Sequence, residues 1–153
     1  MTTTSQSLVV IVLDGHRHAL RLAAVEHIAR MVEITPLPAA PSVVIGMANV
    51  QGRILPVYDL RRRFGLPQRN VTLTDRLIIA RTARRPVALI ADAVIEVIAC
   101  AELDLIAAEN ILSGVESIEG VVRLKDGLIL IHSLDKFLSL EEQQSLDRVL
   151  DHV

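Results

Sequence analysis

The chain has 153 residues, of which 51% are hydrophobic, and a formal net charge of −2. A chain of this length forms one domain or two small intertwined lobes and buries roughly 70% of its unfolded surface, and with Tyr58, Phe64 and Phe137 as its only aromatics that core is aliphatic. The charge balance lacks the basic face and aromatic platforms of a nucleic-acid binder, and the single cysteine, Cys100, excludes an intrachain disulfide or a cysteine-built zinc site and reads as a small buried apolar residue.

In chain order, residues 1–7 lack the charged region of a signal peptide, the first basic residue being Arg17, and read as a frayed, flexible tail. Residues 8–13 are six consecutive apolar residues ending at Asp14-Gly15, and residues 16–22 alternate with His18, Leu20 and Leu22 on one face, which is a hairpin signal. Residues 24–31 predict a short helix, and residues 32–37 drift toward extended structure. Pro41 can open a short helical turn, since its missing N–H would be an orphan there, and Gly46 can close it. Gln51-Gly52 then offers a turn before an apolar strand over residues 53–58. Asp59 caps a helix over residues 60–64, Gly65 ends it with positive φ, and Pro67 prevents its resumption.

Residues 77–80 predict a strand and Arg84-Arg85 a turn, followed by a long Val- and Ile-rich extended segment, residues 87–98, punctuated by Asp92 and Glu96. Residues 104–110 have little β-propensity and read as loop with a helical turn. Residues 119–125 alternate, Asp126-Gly127 turns, and residues 128–131 return as an apolar strand. Ser139 and Glu142 form a capping box, and Leu146, Val149, Leu150 and Val153 follow as one helical stripe, predicting a C-terminal amphipathic helix over residues 139–153 that packs on the body. Many short strands and one proper helix argue for an all-β barrel or sandwich. The sequence shows no internal repeat, no low-complexity segment and no linker. No apolar run approaches the roughly 18 residues of a membrane helix, so a cytoplasmic location is expected.

No chemistry-bearing motif occurs: no Gly-rich phosphate loop, no Gly-x-Ser-x-Gly elbow, no His-Glu-x-x-His helix. His16 and His18 are close enough to share a face but lack further ligands, and read as a polar hairpin tip rather than a metal site. His132, in an apolar run, reads as a core histidine with one satisfied hydrogen bond. Asp14 and Asp126 belong to turns, Asp59 to a cap and Asp92 to a strand interruption. A carboxylate pair could assemble from Asp59, Asp92 or Glu96, but no spacing selects one. Arg61-Arg62-Arg63 and Arg84-Arg85 read as a solvated helix face and a hairpin tip.

The order of these signals resembles the CheW-like adaptor domains of bacterial chemosensory systems. The resemblance is carried by Leu8-Val-Val-Ile-Val-Leu-Asp-Gly, residues 20–28, Pro38 to Pro41, Gly46 to Gly52, Pro56-Val-Tyr-Asp-Leu-Arg, Val87 to Val94, Ile118-Glu-Gly to Leu130, and Leu134-Asp-Lys-Phe-Leu-Ser-Leu-Glu-Glu. It implies two five-stranded SH3-like β-barrel lobes over residues 8–138 with a groove between them, a short C-terminal α-helix, no catalytic activity and no cofactor. It also implies two partners, the cytoplasmic signalling tip of chemoreceptors and the regulatory domain of a CheA-type histidine kinase, with the adaptor cytoplasmic at membrane receptor arrays.

Three positions depart from the family pattern. Gln51 stands in Asn49-Val50-Gln51-Gly52 where the family commonly carries Arg, His27 stands where it commonly carries Glu, and Ala88 stands where it usually has Gly. In the family that Glu and Arg are placed to pair near the partner surface. Losing both together preserves neutrality, whereas losing one strands a charge, so His27 and Gln51 are expected within hydrogen-bond reach. Ala88 implies ordinary strand geometry. The expected partner surface is Val25, His27, Asn49, Gln51 and Gly52, with Gly46 and Ile54 in support. The alternative is a CheW-like scaffold of a specialised pathway that does not bind the standard receptor and kinase.

Overall fold

The computed structural model describes residues 5–101, 105–107, 118–125 and 127–151. Twelve strands form two six-stranded sheets among these residues. Sheet A runs in the order β10-β11-β12-β2-β1-β9, from β1 (Ser5–Leu13), β2 (His16–Arg21), β9 (Ala93–Ala101), β10 (Leu105–Ala107), β11 (Ile118–Leu124) and β12 (Gly127–His132). Sheet B runs β3-β7-β8-β6-β5-β4, from β3 (Val25–Arg30), β4 (Ile34–Thr35), β5 (Val44–Val50), β6 (Arg53–Asp59), β7 (Arg76–Arg81) and β8 (Pro86–Ala91). The all-β architecture with two lobes is as expected. Each lobe contains one very short strand, β4 or β10, beside five longer ones.

Tight turns set the registers. Leu13 pairs with His16 across Asp14-Gly15, and Val50 with Arg53 across Gln51-Gly52. In both turns the two central residues have positive φ, 52° and 77° in the first, 54° and 88° in the second. This is the primed hairpin geometry whose twist matches the flanking strands. The helix α1 (Leu60–Phe64) starts on the Asp59 carboxylate, which accepts the amides of Arg61 and Arg62, and stops at Gly65 with φ 69°.

Several expectations are corrected. Residues 25–30, read as helix, are β3, because the alternating Val25, His27 and Ala29 turn inward when the strand pairs with β7. The segment 87–98 is two strands in different sheets, broken at Asp92. Residues 105–107, read as loop with a helical turn, pair with β11. Ser5 to Ser7, read as frayed tail, pair with β9. Pro41 does open a turn, closed by a 2.9 Å bond from the Val44 amide to its carbonyl. Gly46 does not close that turn: it lies inside β5, where a Cβ would fall 2.3 Å from the Thr35 carbonyl oxygen. Ala88 is fully buried in regular register between Val57 and Ile79. Asp126, Asp104, residues 108–110, His152 and Val153 lie outside the described residues.

The fold also contains a repeat where none was read. β1-β2-β3 and β7-β8-β9 each form a hairpin whose next strand crosses to the other sheet, and β4-β5-β6 and β10-β11-β12 complete the two lobes. The irregularities coincide: the bulge at Glu26 in β3 matches one opposite Val10 and Ile11 in β9, and the bulge at Ile45 before Gly46 matches one at Glu119 before Gly120. Gly46 thus corresponds to Gly120, and Tyr58 to His132. The exchange of β3 and β9 ties the lobes together.

Alternation on the central strands builds three cores. Leu8 and Val10 face the interior of lobe A with Ala19, Val122, Ile129 and Ile131, and Leu77 and Ile79 face that of lobe B with Val57 and Ala88. Val9, Ile11 and Leu13 of β1 meet Ile78 and Ala80 of β7 in a third cluster between the lobes. The helix α2 (Leu140–Leu150) closes that cluster with Leu146, fully buried, beside Phe137 and Leu138. Its capping box is formed, with the Ser139 hydroxyl accepting the Glu142 amide and the Glu142 carboxylate accepting the Ser139 amide.

Candidate functional site: a docking surface on lobe B

Two elements carry most of the expected surface. β3, at one edge of sheet B, carries Val25 and His27, both half-buried, and the tip of the β5–β6 hairpin carries Asn49, Gln51, Gly52 and Ile54, all exposed. The Asn49 side-chain oxygen accepts the Gly52 amide at 2.9 Å, so Asn49 fixes the turn that presents Gln51. Gly46 is buried beneath β4, so it supports the hairpin by close packing and offers no contact surface.

The expected hydrogen bond between His27 and Gln51 is absent, and Nε2 of His27 is buried without a partner. The bond that joins the two elements is ionic: Arg53 Nη1 donates to Glu26 Oε2 at 2.7 Å. It arises because Glu26 is the extra residue of the β3 bulge, where the ladder passes from Val25 opposite Ala80 to His27 opposite Ile79. The hydrogen bond from Arg53 holds the Glu26 carboxyl below its ordinary range. Sequence reasoning missed both residues, although an acidic residue beside His27 and a basic residue just after the Gln51-Gly52 turn were there to be paired. Ile54, 57% exposed, and Ile28, 40% exposed, add apolar area next to these ions.

Elsewhere the charges are committed to structure. Arg61, read as solvated, is only 9% exposed and donates to Asp92 at 2.6 Å, while Arg69 bridges Asp92 and Asp75 at 2.7 and 2.6 Å. Arg63 grips both oxygens of Glu142, and Arg84 and Arg85 both reach Asp147, so these basic residues dock α2 instead of forming a free face. Asp59 is engaged at the α1 cap and Asp92 by two arginines, and Glu96 sits exposed on β9, so these three assemble no carboxylate pair for acid–base work. His16 is at the hairpin tip, where its Nδ1 donates to the Asp14 carbonyl, but His18 is buried and bonded to His132. Among the described residues, no group of three or more His, Cys, Asp or Glu is placed to hold a metal ion.

Two exchanged β-barrel lobes with an exposed apolar and ionic face, and polar groups spent on caps and ion pairs, define a scaffold that works by contact. The profile of the CheW-like domain matches residues 7–142, and the chain belongs to that family. It is similar to the chemotaxis protein CheW of Rhizobium meliloti (strain 1021), 26% identical with 95% of each chain covered. It is also similar to the chemotaxis protein CheW of Bacillus subtilis (strain 168), 29% identical over 93% of this chain and 92% of that one. The crystal structure of the scaffolding protein TtCheW from Thermoanaerobacter tengcongensis superposes with a TM-score of 0.82 at 28% identity, covering 91% of this chain and 96% of that one. The protein is a non-enzymatic adaptor of chemotaxis signalling.

Proposed function

We propose that the chain couples the cytoplasmic signalling tip of chemoreceptors to the regulatory domain of a CheA-type histidine kinase, and that Val25, His27, Asn49, Gln51, Gly52 and Ile54 lie in the surface that does so, with Gly46 supporting it from beneath. The observation that carries this reading is the Glu26–Arg53 ion pair, with exposed Ile28 on the same strand as Glu26 and exposed Ile54 following Arg53 in β6, which combines apolar area with a fixed polar register, the makeup of a specific protein interface. Receptor tips are helical, and a helix face laid on such a surface would find both anchors and a charge to align with. The adaptor would act in the cytoplasm at membrane receptor arrays. Among the described residues no helix is long and apolar enough to cross a membrane. A scaffold outside such arrays is less favoured, since the relatives are named as chemotaxis proteins.

Co-sedimentation with receptor signalling fragments and with the kinase tests the proposal. Both should sediment with the adaptor, and Arg53→Glu should weaken the complex. Binding of neither would leave the alternative scaffold, and no effect of Arg53→Glu would move the surface elsewhere.

A further inference from the structure

We infer that the seam between the lobes contains a proton-sensitive latch, formed by the buried His18–His132 pair and the Phe64 ring of α1 stacked on it. His18 is on β2 and His132 on β12, 114 residues apart in sequence, yet Nδ1 of His18 and Nε2 of His132 share a hydrogen bond of 2.9 Å. Phe64 stacks on both, with ring centroids 5.2 Å from His18 and 4.2 Å from His132, and Phe137 meets Phe64 edge-on at 5.8 Å. The histidines belong to sheet A, whereas α1 continues β6 of sheet B, so these ring contacts hold one lobe to the other.

The pair is built for neutrality. One ring must donate and the other accept, and two protonated rings have only donors to offer. One added proton already places charge on rings whose outer nitrogens, His18 Nε2 and His132 Nδ1, are buried with no partner. Among the described residues, no carboxylate on the packed elements compensates. Glu119 on β11 is paired with Arg21 of β2, and Asp135 accepts the Ala83 amide. On α1, Arg61, Arg62 and Arg63 are paired with Asp92, Asp59 and Glu142. His16 pushes further against a charged His18. Protons are taken up when Phe64 and α1 lift away and water reaches the rings.

The direction follows from linkage. Burial holds His132 down at about 3 and lowers His18 in the same direction, against an ordinary value of 6.5. The open form therefore binds more protons than the closed form as pH falls below 6.5, and acid favours opening. From pH 7.5 to 5.5, His132 alone raises the open population about tenfold, and the two histidines together up to about 100-fold. The lobes of the adaptor are thus held most firmly near and above neutral pH.

Native-state hydrogen exchange on the full chain at pH 5.5, 6.5 and 7.5, corrected for intrinsic rates, tests this. The opening constant at the Gly65, Leu66 and Phe137 amides, which donate to the Arg62, Arg61 and Leu134 carbonyls in that order, should rise at least tenfold from pH 7.5 to 5.5, with β7–β8 ladder amides unchanged. His132→Phe should flatten that slope; if it does not fold, His132→Tyr copies the buried Tyr58 at the matching position of the other lobe and serves instead. A constant opening rate in the unsubstituted protein overturns the latch, as does a uniform rise at all amides, an unchanged slope in either variant, or a folded-state His132 ring that titrates near pH 6.5 by NMR.

Discussion

Glu26 and Arg53 are joined at 2.7 Å across the edge of lobe B, while His27 and Gln51 beside them make no hydrogen bond to each other. This charge pair lies at positions neighbouring His27 and Gln51, carried by a bulge in β3 and by the first residue after the β5–β6 turn. Both side chains are exposed, so the pair contributes little to stability. Arg53→Gln and Glu26→Gln are expected to leave the melting temperature unchanged and to weaken receptor or kinase binding several-fold at low salt. Exchanging the two, Glu26→Arg with Arg53→Glu, should recover part of the loss. Gln51→Arg and His27→Glu, lacking a shared contact, should combine additively in the same binding assay.

Gly46 permits the contact between β4 and β5. A Cβ there would lie 2.3 Å from the Thr35 carbonyl oxygen and 2.8 Å from Ile34 Cγ2, and the first of these is backbone that cannot swing aside. Gly46→Ala is expected to cost about 3 kcal/mol in urea unfolding, as overpacking at a close backbone approach does. An effect below about 1 kcal/mol would mean that β4 shifts freely, and partner binding would then be the informative readout.

Gln51 holds φ 54° in the hairpin turn, a conformation that Asn and Gly adopt more readily. Gln51→Asn should raise stability by about 0.5–1 kcal/mol without altering the hairpin register. The same variant should weaken partner binding if the Gln51 side chain makes contact there. Paired unfolding and binding measurements separate the two effects.

What the sequence revealed was local. Asp14-Gly15 and Gln51-Gly52 specify their turns, Asp59 and Gly65 bound α1, and Ser139 with Glu142 starts α2, each through bonds within a few residues. What it hid was long-range. β3 becomes a strand only because β7, some 50 residues later, offers an edge to pair with, and Asp92 divides one apolar run because the chain changes sheets there. The duplicated lobes keep Ala19 with Ala88, Leu20 with Leu89, Val25 with Val94 and Gly46 with Gly120, but most matched positions exchange one aliphatic residue for another, which preserves packing and erases the pattern. At the candidate surface the hairpin tip was legible from its turn chemistry. The Glu26–Arg53 bond was not, because a bulge decides which side chain of β3 reaches the hairpin.

Asp92 marks the passage of the chain from one lobe to the other and anchors three groups there. Its carboxylate accepts the Asp14 amide at 2.9 Å, Arg61 Nη2 at 2.6 Å and Arg69 Nη2 at 2.7 Å, binding the β1–β2 turn of lobe A to α1 and the segment after it. Arg69 retains Asp75 as a second partner, but Arg61, nearly buried, is left with the Pro67 carbonyl and a longer 3.6 Å approach to Asp14. Asp92→Asn keeps the shape and removes the charge, so it should cost about 2–3 kcal/mol of unfolding free energy. Adding Arg61→Gln should cost less than the sum of the two single changes by at least about 1 kcal/mol, because the second substitution removes the stranded cation. Full additivity in urea unfolding would show that Arg61 is held by its other contacts and that Asp92 joins the lobes through the Asp14 amide and Arg69 alone.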